Sequence, residues 1–190
     1  MAGMFEPNAD WTEQAKGNIA VALNAAQGRL GNRIMAAEEP VGPAAEHLAE
    51  YRSLFSTVAE AVIEYQFFVG NRLPTKKRKG VFDYTLGQGV KDVPGAADAD
   101  YILFINTEDH YGSTGRKIFQ LMAAMGGVGI TSGVHKGYAG LVDAKTGALV
   151  WLNADYQMGG DVRTSDGAEK RVRELLNGFP GAPAGAVAAP

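Results

Sequence analysis

The sequence predicts an α/β domain, with α+β as the alternative, in which helices pack on a small mixed sheet. Three observations support this fold class. A long amphipathic helix pattern spans residues 43–69, a continuous apolar run lies within residues 100–107, and two alternating segments flank a turn at residues 143–147. The last observation predicts a C-terminal β-hairpin, which a further helix follows.

Length and composition set the expected domain organisation. Hydrophobic residues make up 46% of the 190-residue chain and charged residues 21%, which is typical of a folded soluble domain. We therefore expect one domain over residues 1–180, with a helical part at 10–70, a sheet-containing part at 80–180 and a disordered tail at 181–190.

Charge and cysteine content exclude several functions. The chain has 18 Lys and Arg against 21 Asp and Glu, a net charge of −3, which argues against a nucleic-acid-binding protein because such proteins need a basic surface. It has no Cys, so thiolate zinc sites, iron–sulfur clusters and Cys nucleophiles are excluded. No apolar run approaches the ~18 residues of a membrane-spanning helix. No motif indicates a cofactor, and we expect none.

The first helix is predicted from Asp10 to about residue 34. Asp10 occupies the N-cap position, and Glu13 lies three residues on, as in a capping box. Apolar residues then recur every three or four positions on one face: Trp11, Ala15, Ile19, Leu23, Ala26, Leu30 and Ile34. The Pro- and Gly-containing residues 38–43 end this helix.

The second helix, predicted from Pro43 to Val69, carries the strongest pattern in the chain. Its apolar residues alternate steps of three and four, as in a coiled-coil seam: Leu48, Tyr51, Phe55, Val58, Val62, Tyr65 and Val69. One interpretation is a helix packed along its own domain, antiparallel to the first helix. The other is an interaction surface for a second subunit or a partner, formed by Tyr51, Phe55, Val58, Val62 and Tyr65.

A single basic run, Lys76–Lys79, follows Leu73-Pro74 and is predicted to lie in a loop. A solvated turn is one interpretation. Contact with anionic lipid headgroups is the other, since each basic residue near such a surface contributes ~1 kcal/mol.

The middle of the chain predicts a strand between helices. Residues 84–93 predict a short third helix, which Asp83 caps. Residues 100–107 predict a strand buried on both faces, as in a central strand covered by helices, because five consecutive positions are apolar. A fourth helix is predicted over residues 113–125, and the glycine-rich residues 126–133 predict a flexible connection.

Two strands, at residues 134–142 and 148–156, are predicted to form the hairpin. Gly147 suits the positive-φ position of its turn, Asp143–Gly147. Thr164 is predicted to cap a last amphipathic helix, and Gly178 fits the position just after its end. The predicted order α-α-α-β-α-β-β-α has few strands for its helices, and a first strand upstream of Met1 would balance the sheet.

The C-terminal half resembles a group of bacterial envelope lipoproteins. Ala99–Ile105 resembles their "GADYVL" strand, and Gly140–Trp151 resembles their hairpin, in which Asp, Thr-Gly and Trp recur. The likeness covers roughly residues 83–180 and continues through Gly160-Asp161, Thr164 and the final helix to Pro180. The group includes curli-secretion-channel-like lipoproteins and the amino-terminal domain of the Tol-Pal β-propeller protein.

The resemblance implies an α/β domain in the periplasm or on the inner leaflet of the outer membrane. It also implies a non-enzymatic role in envelope assembly or transport. The chain departs from the group in two ways: its first residues lack the basic and apolar regions of a signal peptide, and it has no lipobox Cys.

The residues that could carry chemistry are Glu108, Asp109 and His110, which follow the buried strand. Two carboxylates and an imidazole could bind a metal or perform acid–base catalysis. Adjacent residues on a strand point in alternate directions, however, so Asp109 does not easily converge with its neighbours. Further ligands would have to come from His135 or Asp155, which nothing in the sequence requires.

We therefore expect a non-enzymatic cell-envelope protein that acts through protein partners or self-association, with contact to a membrane surface and none to nucleic acid. The alternative is a small metal-dependent or acid–base enzyme that uses Glu108, Asp109 and His110. A cytoplasmic interaction module is the alternative in compartment.

Overall fold

The structure is a computed structural model that describes residues 9–30, 40–67, 82–111, 133–156 and 158–181. The described part contains three helices and a three-stranded sheet, which confirms the predicted α/β class and the hairpin followed by a helix. The helices are α1 (Ala9–Leu30), α2 (Pro43–Val62) and α3 (Ser165–Leu175), and the strands are β1 (Tyr101–Tyr111), β2 (Gly133–Asp143) and β3 (Leu149–Asp155). A π-helical turn, Ile63–Phe67, continues α2, and Gln88–Asp92 form a 3-10 helix.

The described sheet has the order β1-β2-β3, and both pairings are antiparallel. The central strand is therefore β2, whereas the apolar run in β1 predicted that β1 would be central. Both faces of β1 are nevertheless covered: Phe104 packs on the α2 side, and Leu103 packs on the α3 side. The strand also continues past residue 107 to Tyr111, because Glu108 and Asp109 pair across the sheet with Lys136 and His135.

One face of the sheet is covered by α2, whose apolar seam contacts the sheet directly. The ring of Phe55 stacks on Phe104 with centroids 4.9 Å apart and lies 5.8 Å from the ring of Tyr138. Gly140 makes this approach possible, because a Cβ there would lie 2.5 Å from the Phe55 ring. Phe55 and Val62 are almost fully buried in this cluster, so the seam is part of the chain's own core.

The opposite face is covered by α3, and α1 packs on α3. Val172 and Leu176 share an apolar cluster with Ala22 and Ala26 of α1 and with Leu141 of β2. The prediction that α1 would lie antiparallel against α2 is therefore wrong. The spacing of apolar residues shows which face of α1 is apolar, but it does not show what that face packs against. The apolar face of α2 is buried on the sheet, and α1 packs on α3 instead.

The predicted third helix, residues 84–93, is also corrected. Thr85 forms a bridge with Ala148, and Leu86 N donates to the carbonyl of Gly147, so this segment is extended beside the hairpin. Gly87 has φ 80°, which a right-handed helix does not allow, and only the 3-10 helix follows it.

Local side chains set the ends of the hairpin and of α3, as predicted. Gly147 has φ 75° in the turn, where Asp143 Oδ1 accepts hydrogen bonds from the backbone of Lys145 and Thr146. At the start of α3, the Thr164 hydroxyl accepts from Gly167 N at 3.1 Å, and Gly178 after its end has φ 71°.

Several predicted features lie outside the described residues. They are the end of the first helix beyond Leu30, Val69, the basic run Lys76–Lys79, the helix over 113–125, most of the glycine-rich connection 126–133 and the tail beyond residue 181.

Truncating Phe55 should destabilise the chain strongly, because its ring fills the space between α2 and the sheet. We expect Phe55→Ala to lower the free energy of unfolding by about 3–5 kcal/mol, measured by chemical denaturation. Leu54→Ala is the matched control, since Leu54 is 40% exposed on the same helix and should cost less than ~1 kcal/mol. Equal losses for the two variants would contradict the packing of α2 on the sheet.

The hairpin turn should make folding sensitive to acid. The backbone hydrogen bond from Thr146, followed by the bond from its hydroxyl, lowers the pKa of Asp143 below the ordinary 3.8. A carboxyl whose pKa is depressed on folding stabilises the fold above its unfolded pKa and loses that contribution as pH falls through the folded pKa. Carbon NMR should therefore show Asp143 titrating below 3.8, and Thr146→Val should move that titration upward. A titration at or above 3.8 in the wild type would be inconsistent with this turn.

Candidate functional site

Two consecutive register pairs of polar residues connect β1 and β2. Glu108 is the register partner of Lys136, and Asp109 is the register partner of His135. Because successive side chains of a strand point to opposite faces, the two pairs are separated by the sheet. Glu108 and Lys136 lie on the α2 side, while Asp109 and His135 lie on the α3 side.

On the α3 side, a buried arginine forms an ion pair with Asp109. Arg171 of α3 is fully buried, and its two terminal nitrogens donate to Asp109 Oδ2 at 3.0 Å and to Asp109 Oδ1 at 2.9 Å. This is a bidentate ion pair, the geometry that the planar guanidinium makes best. It brings together residues that are 62 positions apart in the chain.

Backbone carbonyls of the loop between β3 and α3 complete the surroundings of Arg171. Its Nε donates to the carbonyl of Gly159 at 3.2 Å, and a terminal nitrogen donates to the carbonyl of Gly160 at 2.9 Å. Gly160 has φ 83°, and a Cβ there would collide with the carbonyl of Gly167. The sequence Gly159-Gly160 therefore lets the loop lie close enough to α3 to solvate the buried charge.

The imidazole of His135 is held by the same carboxylate. His135 Nδ1 lies 2.7 Å from Asp109 Oδ1, and the His135 side chain is 28% exposed. A carboxylate only accepts hydrogen bonds, so in this contact Nδ1 is the donor and Asp109 Oδ1 the acceptor. A neutral His135 then has its lone pair on Nε2. A carboxylate-oriented imidazole of this kind can transfer protons or ligate a metal.

The pair on the α2 side is more open. Lys136 Nζ lies 2.7 Å from Glu108 Oε2, and this hydrogen bond raises the pKa of Lys136, to which the charge of Glu60 adds. Nearby, burial raises the pKa of Tyr156, an effect that Lys136 opposes. Exposed ion pairs of this kind contribute little to stability.

The structure separates the residues that the sequence proposed for chemistry. Glu108 and Asp109 lie on opposite faces of the sheet, and the side chain of His110 lies outside the described residues. The sequence analysis missed Arg171 and named His135 only as a further ligand that nothing in the sequence requires. One signal was available for Arg171, which falls on the apolar stripe of the last helix between Ala168 and Leu175, where an arginine needs a buried partner.

The proposed interaction surface on α2 needs correction. Phe55 and Val62 are buried in the chain's own core, and Tyr51 and Val58 pack partly against it. The ring contacts of Phe55 with Phe104 and Tyr138 show that the seam packs on the chain's own sheet. Tyr65 differs, since it is 45% exposed.

The described ranges contain neither a cluster of metal-ligating side chains nor a helix that could span a membrane. No three or more His, Asp or Glu side chains come together there as metal ligands. None of the helices that the structure describes has both the length and the apolar character needed to cross a bilayer.

Comparison with protein family models, with curated proteins and with solved structures found no match to this chain. The likeness to envelope lipoproteins therefore stays a prediction from the sequence.

Removing the charge of Asp109 should destabilise the chain strongly, because Arg171 would be left buried without a counter-ion. We expect Asp109→Asn to lower the free energy of unfolding by about 3–5 kcal/mol, measured by urea denaturation. Glu108→Gln, one residue away on the opposite face, should cost at most ~1 kcal/mol.

A compensating double variant separates loss of charge pairing from loss of packing. Asp109→Leu combined with Arg171→Met replaces the ion pair by apolar groups and should recover most of the lost stability. If the double variant is as unstable as Asp109→Asn, the ion pair is not what makes Asp109 necessary.

Proposed function

We propose that this chain is a non-enzymatic domain of the bacterial cell envelope that acts through contacts with protein partners or with further copies of itself. The support from the sequence is the resemblance over residues 83–180. Its two best-matching segments, Ala99–Ile105 and Gly140–Trp151, lie in antiparallel neighbours of one sheet. The described parts of both segments thus belong to the same three-stranded sheet.

One observation favours a binding role over catalysis: Asp109 and Arg171 form a buried ion pair whose polar atoms are bonded to each other and to neighbouring groups of the chain. Both oxygens of Asp109 bond to Arg171, and Oδ1 also accepts from His135. Arg171 is fully buried and divides its donors between Asp109 and two loop carbonyls. Such a network fastens α3 to the sheet, and it leaves neither Asp109 nor Arg171 open to a substrate.

Exposed apolar side chains provide surface for partner contacts. Tyr101 is 52% exposed at the start of β1, and Val150 is 45% exposed where a bulge interrupts the pairing of β3. Exposed aromatic residues are common at the anchoring points of protein interfaces. The proposed compartment is the periplasm or the inner leaflet of the outer membrane, where Lys76–Lys79 would contact anionic headgroups. A cytoplasmic interaction module is the alternative.

Cell fractionation with intact-mass measurement tests the compartment. The native locus, with its upstream DNA, is expressed in its host, and the fractions are checked with cytoplasmic and periplasmic marker proteins. We expect a processed product in the envelope fraction, with added lipid mass if the protein is anchored. An unprocessed product that begins at Met1 and stays with the cytoplasmic marker would contradict the envelope assignment.

A second candidate function is acid–base catalysis at His135, in place of the predicted set Glu108, Asp109 and His110. The observation in its favour is the 2.7 Å contact that orients the imidazole on Asp109. A panel of ester and phosphate-ester substrates tests it. Activity that His135→Gln abolishes and Glu108→Gln preserves would support this function over the envelope role, and no activity above background would exclude these two reactions.

A further inference from the structure

An asparagine followed by a glycine lies just after the last helix. Asn177 precedes Gly178, and no other Asn in the chain precedes a glycine. In such a pair the backbone nitrogen of the glycine can attack the side-chain carbon of the asparagine, because glycine has no Cβ to shield its nitrogen. Asn is among the thermolabile residues of proteins. The pair is therefore a candidate for modification, and the fold decides whether its atoms can react.

Both residues are exposed and lie beyond the end of α3. The helix ends at Leu175, and Asn177 and Gly178 belong to the turn that follows it. Gly178 has φ 71°. Apart from its chain neighbours, the only described atom that a Cβ at Gly178 would meet is the indole Nε1 of Trp151, at 4.0 Å. The turn is therefore open at the glycine, and its backbone can rotate without breaking a hydrogen bond of the helix.

The nitrogen of Gly178 differs from those of its neighbours, because no described residue accepts a hydrogen bond from it. Asn177 N donates to the carbonyl of Glu174 at 3.3 Å, and Phe179 N donates to the carbonyl of Leu176 at 3.1 Å. The side-chain amide of Asn177 likewise has no hydrogen bond to the described residues. A hydrogen-bonded amide loses its proton only when the structure opens locally, so Gly178 N is available without such opening.

The fold protects the comparable positions. Asp166-Gly167 is an Asp-Gly pair, which can react in the same way, but Gly167 N donates to the Thr164 hydroxyl at 3.1 Å in the first turn of α3. Gly167 also packs closely against the backbone of Asp161. The side-chain nitrogen of Asn153 is held by two carbonyls of α3, at 2.8 and 3.0 Å.

We propose that Asn177 is a site of spontaneous deamidation, with water as the co-reactant. Gly178 N loses its proton and forms a bond to Asn177 Cγ, the Cγ–Nδ2 bond breaks, and Nδ2 takes up a proton and leaves as ammonia. The product is a cyclic imide. Water then adds to either of its two carbonyl carbons and opens the ring, giving aspartate or isoaspartate at position 177. No oxidant or reductant is needed.

The modification acts on the packing at the end of α3. The new carboxylate lies next to the negative end of the helix dipole, which is unfavourable. Isoaspartate also adds an atom to the main chain between Leu176 and Phe179, whose hydrogen bond closes the turn. The ring of Phe179 is buried and lies 5.4 Å from the ring of Trp151, so the altered turn should loosen this contact.

Ageing the full chain in mildly alkaline buffer, folded or in guanidinium chloride, tests the site. Trypsin cuts after Arg163, Lys170 and Arg173, so Asn177 and Asp166 fall in separate peptides. Mass spectrometry detects deamidation as a gain of about 1 Da, and electron-transfer fragmentation identifies isoaspartate. We expect Asn177 to deamidate in the folded chain at nearly the unfolded rate, whereas isoaspartate should form at Asp166 at least about tenfold more slowly in the folded chain.

Asn177→Gln is the matched control, because its longer side chain would have to form a six-membered ring. This variant should show no mass gain at position 177 over the same period. The Phe179 amide should exchange hydrogen faster in aged than in fresh wild type, and at an unchanged rate in aged Asn177→Gln. No mass gain at Asn177 in the folded chain, equal protection of Asn177 and Asp166, or a gain at Asn153 as fast as at Asn177 would overturn the proposal.

Discussion

The arrangement of the described elements depends on one interaction, the buried ion pair between Arg171 and Asp109. A fully buried guanidinium is tolerated only where its charge is paired and its donors are satisfied. Its partners lie in β1 and in the loop at Gly159 and Gly160, and in this position of α3 each of the three guanidinium nitrogens donates a hydrogen bond. Gly159, Gly160 and Asp109 are therefore all needed for the same reason, which is to stabilise the buried charge of Arg171.

The alternation of side chains on β1 gives the two faces of the sheet different roles. On the α3 side, Asp109 belongs to a closed network that stabilises packing. On the α2 side, Glu108 and Lys136 remain partly exposed. This division explains why Asp109 contributes to stability whereas the adjacent Glu108 contributes to the surface. It also explains why the two acidic residues do not form a single site.

Local chemistry made part of the structure predictable. Gly147 in the hairpin turn, the Thr164 cap and the three–four spacing around Phe55 each act within a few residues, and each was confirmed. The errors came from long-range choices. The partner of α1 depended on which apolar face α2 left open, and the partner of Asp109 depended on a residue 62 positions away. Gly87 could have warned against the third helix, but a glycine alone does not show that φ is positive.

Hydrogen exchange of backbone amides tests most directly whether Arg171 unites the sheet and α3. Arg171→Lys keeps the charge but cannot form the bidentate pair and both carbonyl contacts at once. If the ion pair joins these elements, the amides of β1, β2 and α3 should all exchange faster in the variant, at one common rate. Faster exchange confined to α3, with β1 and β2 unchanged, would contradict the central role of this ion pair.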